Sequence, residues 1–174
     1  MKNTEFFLNL CFYHFCLFLK TINAKLTHLV FGRLYNLSIV KKRIAKFGIK
    51  DLYKYTMEIE NDPNNGVVVN VSFLLFGGWL VLIIYSIANI VNIISQNEIY
   101  KFIFNAPLVI IIYFILLIFI VLLLIKLLLE HNSKYLIYSR YFRSRNKKLK
   151  IKNAIFAILI YLFSVILIIL AYSF

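Results

Sequence analysis

Three long apolar segments constrain this chain more than any other feature. They are residues 67–94, 107–129 and 154–173. The first and third carry no charged side chain, and the second carries only Lys126, close to its end. A helix of about 20 apolar residues spans the roughly 30 Å hydrocarbon core of a bilayer. The pattern therefore predicts an all-α integral membrane protein with three transmembrane helices.

The basic residues alternate with these apolar segments. Ten Lys or Arg lie in residues 1–66 and eight lie in residues 130–153, whereas residues 95–106 carry only Lys101. Positively charged loops stay on the side of the membrane where the protein is synthesised. We therefore expect residues 1–66 and 130–153 to share the cytoplasm-like side, which is the matrix in a mitochondrion. Residues 95–106 and the C-terminus then face the opposite side.

The sequence divides at residue 66 into an N-terminal region, residues 1–66, and a transmembrane domain, residues 67–174. Residues 6–19 are apolar, but a helix of fourteen residues is short for a membrane span. We expect this helix to lie at the membrane interface or to pack on a partner. The alternative is a fourth span, which would place Met1 on the opposite side of the membrane.

A basic amphipathic helix is predicted over residues 24–47. Its apolar residues recur at spacings of three and four, which places them on one helical face. Gly48 is a plausible stop, and Asp51 can cap a short helix that ends near Glu60. A basic arm of this kind lies on an anionic membrane surface or against another subunit.

Residues with catalytic or metal-binding chemistry are scarce. The histidines, His14, His28 and His131, all lie outside the predicted spans. Haem ligation in a helical bundle needs histidines at membrane depth on facing helices. The sequence has no Gly-rich phosphate loop, zinc-ligand spacing or nucleophile motif. We therefore predict a protein that is not an enzyme and that carries no metal and no cofactor apart from bound lipid.

The two cysteines and one pair of opposite charges have simple structural interpretations. Cys11 and Cys16 match no metal-ligand spacing, and they are expected to be small buried hydrophobes. Lys126 and Glu130 lie four residues apart near a membrane boundary, where they are expected to form an ion pair at a helix end.

Polar residues of the first apolar segment form two neighbouring stripes. One stripe has spacings of 7, 4 and 3 and contains Gly78, Tyr85, Asn89 and Asn92. The other stripe has spacings of 7 and contains Ser72, Trp79 and Ser86. Asparagine is unfavourable in hydrocarbon unless it is hydrogen-bonded. The first stripe therefore predicts a helix–helix interface, either within the three-helix bundle or with another subunit.

Two basic clusters predict contacts outside the chain. They contain Lys41, Lys42 and Arg43 in the N-terminal region, and Arg140, Arg143, Arg145, Lys147 and Lys148 in the second basic segment. Anionic lipid headgroups such as cardiolipin, or an acidic subunit surface, would complement them. The alternative is an ordinary positive-inside anchor. The net charge of +13 could also indicate nucleic acid, but in a membrane protein we consider that partner unlikely.

The composition carries a resemblance. The chain has 17 Phe and 12 Tyr residues but only 5 Gly and 2 Pro. Codons that contain only A and T favour Phe, Ile, Lys, Asn and Tyr. In this respect the whole chain resembles divergent inner-membrane proteins encoded in AT-rich protist mitochondrial genomes, above all those of ciliates. Proteins of AT-rich bacteria are similar in composition.

The resemblance implies a class of function. Proteins of that mitochondrial group mostly belong to respiratory-chain complexes or ATP synthase, and small members without redox ligands are structural subunits. We therefore expect a non-catalytic accessory subunit of an oxidative phosphorylation complex, whose partners are other membrane subunits and lipids. One alternative is a small bacterial multi-span protein, such as an immunity or envelope-assembly factor. Another is a transporter or proton-channel subunit that uses Lys126 and Glu130.

Overall fold

The computed structural model describes residues 3–35, 37–62, 66–95 and 107–173. Within those helices, the side chains of residues 30–35, 52, 92, 95, 107 and 110 fall outside the description. The described residues are all-α and contain no strand, which confirms the predicted fold class at that level. The predicted loop over residues 95–106 falls almost wholly outside them.

Seven α-helices follow one another along the described chain. They are α1 (Asn3–Tyr35), α2 (Ser38–Ala45), α3 (Leu52–Glu60), α4 (Val67–Ser95), α5 (Pro107–Ile125), α6 (Lys134–Ser144) and α7 (Lys147–Ser173). Between α5 and α6 the chain forms a π-helical turn, Lys126–Glu130, and a 3-10 turn, His131–Ser133. Asn132 and Ser133 both have positive φ angles, of 55° and 53°, so the helical path is broken at these two residues.

Four segments are long and apolar enough to cross a membrane: Asn3–Leu29, Val67–Val91, Ile111–Ser144 and Lys147–Ser173. By length and composition they indicate an integral membrane protein. Three of these segments contain most or all of the predicted spans. The fourth lies in α1, where the sequence predicted a shorter apolar helix and kept a span as the alternative.

The predicted bounds of the two N-terminal helices were wrong. The sequence predicted separate helices over residues 6–19 and 24–47, whereas α1 runs without interruption from Asn3 to Tyr35 and α2 begins only at Ser38. No Gly or Pro lies between residues 19 and 24, so nothing there stops a helix. The third apolar segment also begins earlier than predicted, because α7 starts at Lys147 and includes a lysine-rich first turn.

The chain folds into two compact units. The first unit comprises residues 1–11 and 74–174. In this unit α4 runs antiparallel to α5, since Gly77 lies beside Ile125 while Tyr85 stacks on Phe114. The same helix runs parallel to α7, since Trp79 contacts Tyr161 and Asn89 reaches Ala171. The buried apolar residues of this unit include Phe76, Val121, Leu129, Phe142, Ala157 and Ala171.

The second unit comprises residues 12–73. Phe12 of α1 stacks on Phe73 of α4, with ring centroids 4.4 Å apart. Gly48 follows α2 with a φ of +73°, a conformation that favours glycine. Asp51 caps α3 by accepting a hydrogen bond from the Lys54 backbone N–H at 3.0 Å. The predicted cap at Asp51 and the predicted end of this helix at Glu60 are therefore confirmed.

Candidate functional site

A polar site in the first unit surrounds Glu5, near the start of α1. The Lys134 Nζ atom donates to Glu5 Oε2 at 2.9 Å, and the Tyr138 hydroxyl donates to Glu5 Oε1 at 3.2 Å. The side chains of Glu5 and Lys134 are only 19% and 24% exposed. We call Glu5, Asn9, Lys134 and Tyr138 the Glu5 cluster. Both carboxylate oxygens of Glu5 thus accept hydrogen bonds within this cluster.

The cluster also donates hydrogen bonds to backbone carbonyls of the π-helical turn that follows α5. Asn9 is fully buried, and its Nδ2 group donates to the carbonyl of Leu128 at 2.9 Å and to that of Glu5 at 2.8 Å. Lys134 Nζ reaches the carbonyl of Leu127 at 3.4 Å. The last four carbonyls of a helix have no partner within the helix. Asn9 and Lys134 supply donors to two carbonyls at the end of the π-helical turn.

Four aromatic rings pack beside these polar groups. The ring of Phe6 contacts those of Tyr138, Tyr141 and Phe142 edge to face, with centroids 5.4 to 6.2 Å apart. Phe142 is 1% exposed. Edge-to-face pairs contribute on the order of 1 kcal/mol beyond their area burial. The polar bonds and the aromatic packing together attach the first turns of α1 to α6.

The chemistry available at the Glu5 cluster is that of a structural ion pair. Glu5 is neutralised by Lys134, and Asn9 is held by two carbonyls. Over the described residues, no group of three or more His, Cys, Asp or Glu side chains is arranged to hold a metal ion. The cluster holds the start of α1 in position, and we assign it no reacting group.

None of the four members of this cluster was predicted from the sequence. The pairing of Glu5 with Lys134 joins residues 129 positions apart, which no local pattern reveals. One signal was present, because Glu5 is the only acidic residue among the first 50. The ion pair expected between Lys126 and Glu130 does not form. Both of those side chains are exposed, and Lys134 pairs with Glu5 instead.

The residues of the predicted interface stripe on α4 do not all lie against neighbouring helices of this chain. Asn89 donates to the backbone carbonyl of Ala171 on α7 at 2.6 Å. Tyr85 stacks on Phe114 and lies 6.2 Å from the ring of Tyr172. These two residues therefore contact α5 and α7 of the same chain. The side chain of Asn92 falls outside the described part of the structure.

Gly78 differs from the rest of that stripe. A Cβ atom placed on Gly78 would meet nothing within 4 Å, and the residue is exposed. A Cβ atom on the preceding residue, Gly77, would lie 3.0 Å from Ile125 Cδ1. Within this chain, the close helix approach is at Gly77, and an interface of Gly78 with another subunit stays a prediction.

The neighbouring stripe of α4 is the more buried one. Ser72 and Ser86 are fully buried, and Trp79 packs edge to face on Tyr161 at 5.0 Å. Ser72 donates to the carbonyl of Val68 within its own helix at 2.6 Å. Polar residues of α4 are thus directed inward in both units, although the stripe singled out as the interface was not the most buried.

A second set of polar bonds ties α1 to the segment before α4, within the second unit. Asn23 Nδ2 donates to Glu60 Oε2 at 2.7 Å, and Lys20 Nζ donates to the carbonyl of Asn61 at 3.2 Å. The Tyr53 hydroxyl donates to the carbonyl of Ala24 at 3.3 Å. The second half of α1 is therefore hydrogen-bonded to α3 and to the residue that follows it.

The predicted basic contacts lie mostly at the surface. Exposed side chains include Lys41, Lys42 and Arg43 on α2, Arg140 and Arg143 on α6, and Lys147 and Lys148 on α7. Arg145 differs, because its guanidinium is 4.1 Å from the ring centre of Tyr141 and hydrogen-bonds the hydroxyl of that residue. Seven of the eight cations are available to partners outside the chain.

The cysteines and histidines occupy separate places. Cys11 is buried and Cys16 is half-buried, and both are free thiols. His14 is half-buried, His28 contacts the ring of Tyr53, and His131 is exposed.

No family model matches the chain, and comparison with curated proteins and with solved structures likewise found no match.

Proposed function

We propose that this chain is a non-catalytic structural subunit of an oxidative phosphorylation complex in the mitochondrial inner membrane, either a respiratory-chain complex or ATP synthase. One observation carries the proposal: the amides of Asn9 and Asn89 are bonded to the chain itself, while the outward faces of the long helices are apolar. Such helices offer neighbouring subunits a packing surface. The choice of a mitochondrial complex rests on the composition of the chain.

The proposed topology has three spans, α4, α5 and α7. The antiparallel packing of α4 on α5, and its parallel packing with α7, suit a chain that crosses three times. Residues 1–66 and 130–153 then lie on the matrix side, where their 18 cations follow the positive-inside rule. The C-terminal end of α7 lies on the opposite side.

Anionic lipid is the proposed partner of the matrix-facing cations. The exposed face of α6 combines Arg140 and Arg143 with Ile137, which is 59% exposed. A helix that presents cations and an aliphatic side chain together suits the boundary between headgroups and acyl chains. Lys147 and Lys148 add two exposed cations at the start of α7, and cardiolipin has the matching charge.

Replacing both Asn89 and Asn92 with Leu tests the structural role. An interhelical hydrogen bond in a membrane contributes on the order of 0.6 kcal/mol, and at most about 2. We expect the double variant to reduce the amount of assembled complex on blue-native electrophoresis without changing its intrinsic redox chemistry. The matched control is Leu82→Ile, at an exposed apolar position of the same helix. An intact complex with slower turnover would contradict the proposal.

Purification in mild detergent followed by mass spectrometry tests the partner class. We expect subunits of one oxidative phosphorylation complex to be recovered with the chain. Recovery with bacterial envelope-assembly proteins would support the bacterial alternative instead. Proton flux into liposomes that contain only the purified chain would contradict a purely structural role.

A further inference from the structure

The short helix α2 and the turn after it present an exposed ridge of basic and apolar side chains. Ile39, Arg43 and Phe47 recur at spacings of four, so they are neighbours along one helical row. We propose that this α2 ridge docks on the headgroup layer of a membrane leaflet that contains anionic phospholipid. The inference deepens the lipid partner proposed above, and it rests on the membrane placement of the chain but not on the choice of complex.

The ridge is open along its whole length. Ile39 is 76% exposed, Phe47 is 79% exposed, and Arg43 between them is exposed as well. Lys46 follows α2 with helical angles, φ −63° and ψ −24°, so Phe47 continues the helical path and stays in register with Ile39. Two large apolar side chains therefore flank a cation on one surface of the second unit.

Packing within the chain contributes little to α2. None of its eight residues is buried, and its N-cap residue, Leu37, makes no capping hydrogen bond through its side chain. Val40 and Ile44 are half-buried, and the rest of the helix is exposed. A helix shorter than about 12 residues is marginal in water unless an apolar face is packed. A lipid surface that covers Ile39 and Phe47 would supply the missing packing.

The turn after α2 holds Phe47 at the surface. The Gly48 N–H donates to the carbonyl of Ala45 at 3.0 Å. The Ile49 N–H donates to the carbonyl of Ile44 at 3.4 Å. With the φ of Gly48 at +73°, these two bonds form a Schellman motif. The motif folds Ile49 back to a half-buried position and leaves Phe47 projecting from the end of the helix.

The charge of this segment selects an anionic surface. Residues 37–50 contain no acidic side chain and five exposed cations: Lys41, Lys42, Arg43, Lys46 and Lys50. None of the five pairs with an acidic side chain of the described residues. The acidic residues of the second unit begin only at Asp51, whose carboxylate caps α3. Anionic headgroups would supply the charge that this part of the chain lacks.

The mixture of side chains on the α2 ridge favours lipid over an acidic protein surface. An acidic surface would place Ile39 and Phe47 against polar groups, which gains nothing from their burial. At a lipid interface, apolar side chains reach the acyl chains while Arg and Lys stems carry their charges up to the phosphates. The apolar segment of α4 begins at Val67 in the same unit, so the chain enters the membrane soon after α2 and α3.

Quenching of a single tryptophan by brominated lipid tests the docking. The experiment uses the full chain in nanodiscs, with Trp79→Phe and Phe47→Trp, and with bromines placed near the headgroups. We expect strong quenching in phosphatidylcholine with cardiolipin and weak quenching in phosphatidylcholine alone. Equal quenching in the two lipid compositions would contradict the role of charge. The absence of quenching in cardiolipin nanodiscs would overturn the docking itself.

Charge variants in the same background provide the matched comparison. One variant replaces Lys42, Arg43 and Lys46 with Gln, which has a similar helix propensity. Each cation lost near an anionic surface should lower the ratio of docked to undocked helix by about fivefold at low salt. The charge-conserving variant, with Lys42→Arg, Arg43→Lys and Lys46→Arg, should be quenched as strongly as the parent. Equal quenching of the two variants would show that the cations do not drive docking.

A second tryptophan position separates this inference from the proposed function. Phe119 is 63% exposed on the outward face of α5. In the Trp79→Phe chain, Phe119→Trp should be quenched by deep bromines in both lipid compositions. If it is quenched and Phe47→Trp is not, only the docking of α2 fails. If Phe119→Trp is not quenched either, the membrane placement fails and the proposed function fails with it.

An aqueous quencher distinguishes lipid from a protein partner. Iodide should reach Phe47→Trp in phosphatidylcholine nanodiscs and should be excluded from it in cardiolipin nanodiscs. If iodide reached this tryptophan in both nanodiscs and were excluded only in the assembled complex, an acidic subunit would cover the α2 ridge. That result would overturn the assignment to lipid.

Discussion

The corner around the Glu5 cluster and the outward faces of α5 and α7 differ in what surrounds their side chains. At the corner, an ion pair, the buried amide nitrogen of Asn9 and four aromatic rings make specific contacts within a few ångströms. The outward faces of α5 and α7 consist of Ile, Leu, Val and Phe residues that are about half exposed. Specific contacts stabilise the corner, whereas lipid can solvate the outward faces. Substitutions should therefore have large effects at the corner and small effects on the outward faces.

The largest expected effect is at Phe142. This ring is 1% exposed and contacts Phe6, so Phe142→Ala leaves a cavity that the surrounding side chains fill only partly. We expect a loss of about 3–5 kcal/mol of unfolding free energy. Equilibrium unfolding in mixed micelles of a mild detergent and sodium dodecyl sulfate, followed by the fluorescence of the single Trp79, would measure it.

The matched control is Phe119→Ala on the outward face of α5, where the ring is 63% exposed. Detergent or lipid occupies the space that the missing ring leaves, so we expect a change of less than about 1 kcal/mol, as for other substitutions away from packed sites. Equal losses for Phe142→Ala and Phe119→Ala would show that the corner is not the better packed region.

The second effect concerns the ion pair of Glu5 and Lys134. Lys134→Glu places a carboxylate beside Glu5 and removes a donor from the Leu127 carbonyl. Partial exposure keeps the cost below that of breaking a fully buried pair, so we expect a loss of about 2–3 kcal/mol. The exchanged double variant Glu5→Lys with Lys134→Glu should recover part of this loss in the same unfolding assay.

A double-mutant cycle provides the control for this pair. Recovery indicates that the two charges interact directly, because each single variant alone leaves two like charges together. If the exchanged variant were as unstable as the sum of the two single variants, the pairing of Glu5 with Lys134 would not contribute to stability.

The same comparison explains which features could be predicted from the sequence. The segments that contain α4, α5 and α7 were predictable because lipid-facing helices depend on local composition, which a run such as residues 107–129 displays directly. The cap of α3 by Asp51 was predictable because its partner is three residues away. The Glu5 cluster was not predictable, since Asn9 and Leu128 are separated by 119 positions.

The side chains of α1 show the same limit. Their composition is apolar enough for a span, and the hydrogen bonds of Asn23 and Lys20 to residues 60 and 61 become evident only once the chain is folded. The sequence correctly predicted that α4 would direct polar residues at neighbouring helices. It could not determine which of two adjacent glycines faces α5, because one residue on a helix is a rotation of about 100°.

The smallest expected effect concerns two adjacent residues of α4, Gly77 and Gly78, of which one faces protein and the other does not. Ala is more favourable than Gly in a helix interior by about 1 kcal/mol. Gly78→Ala adds a methyl group in open space, so we expect the isolated chain to gain up to about 1 kcal/mol in unfolding free energy. Gly77→Ala places its methyl group 3.0 Å from Ile125 Cδ1, so that side chain must shift and most of the gain is lost. The Trp79 unfolding assay should rank Gly78→Ala above Gly77→Ala by up to about 1 kcal/mol, because neighbouring residues on one helix can face lipid and protein respectively. The opposite ranking would mean that Gly78, and not Gly77, makes the close helix contact, as the spacing in the sequence first suggested.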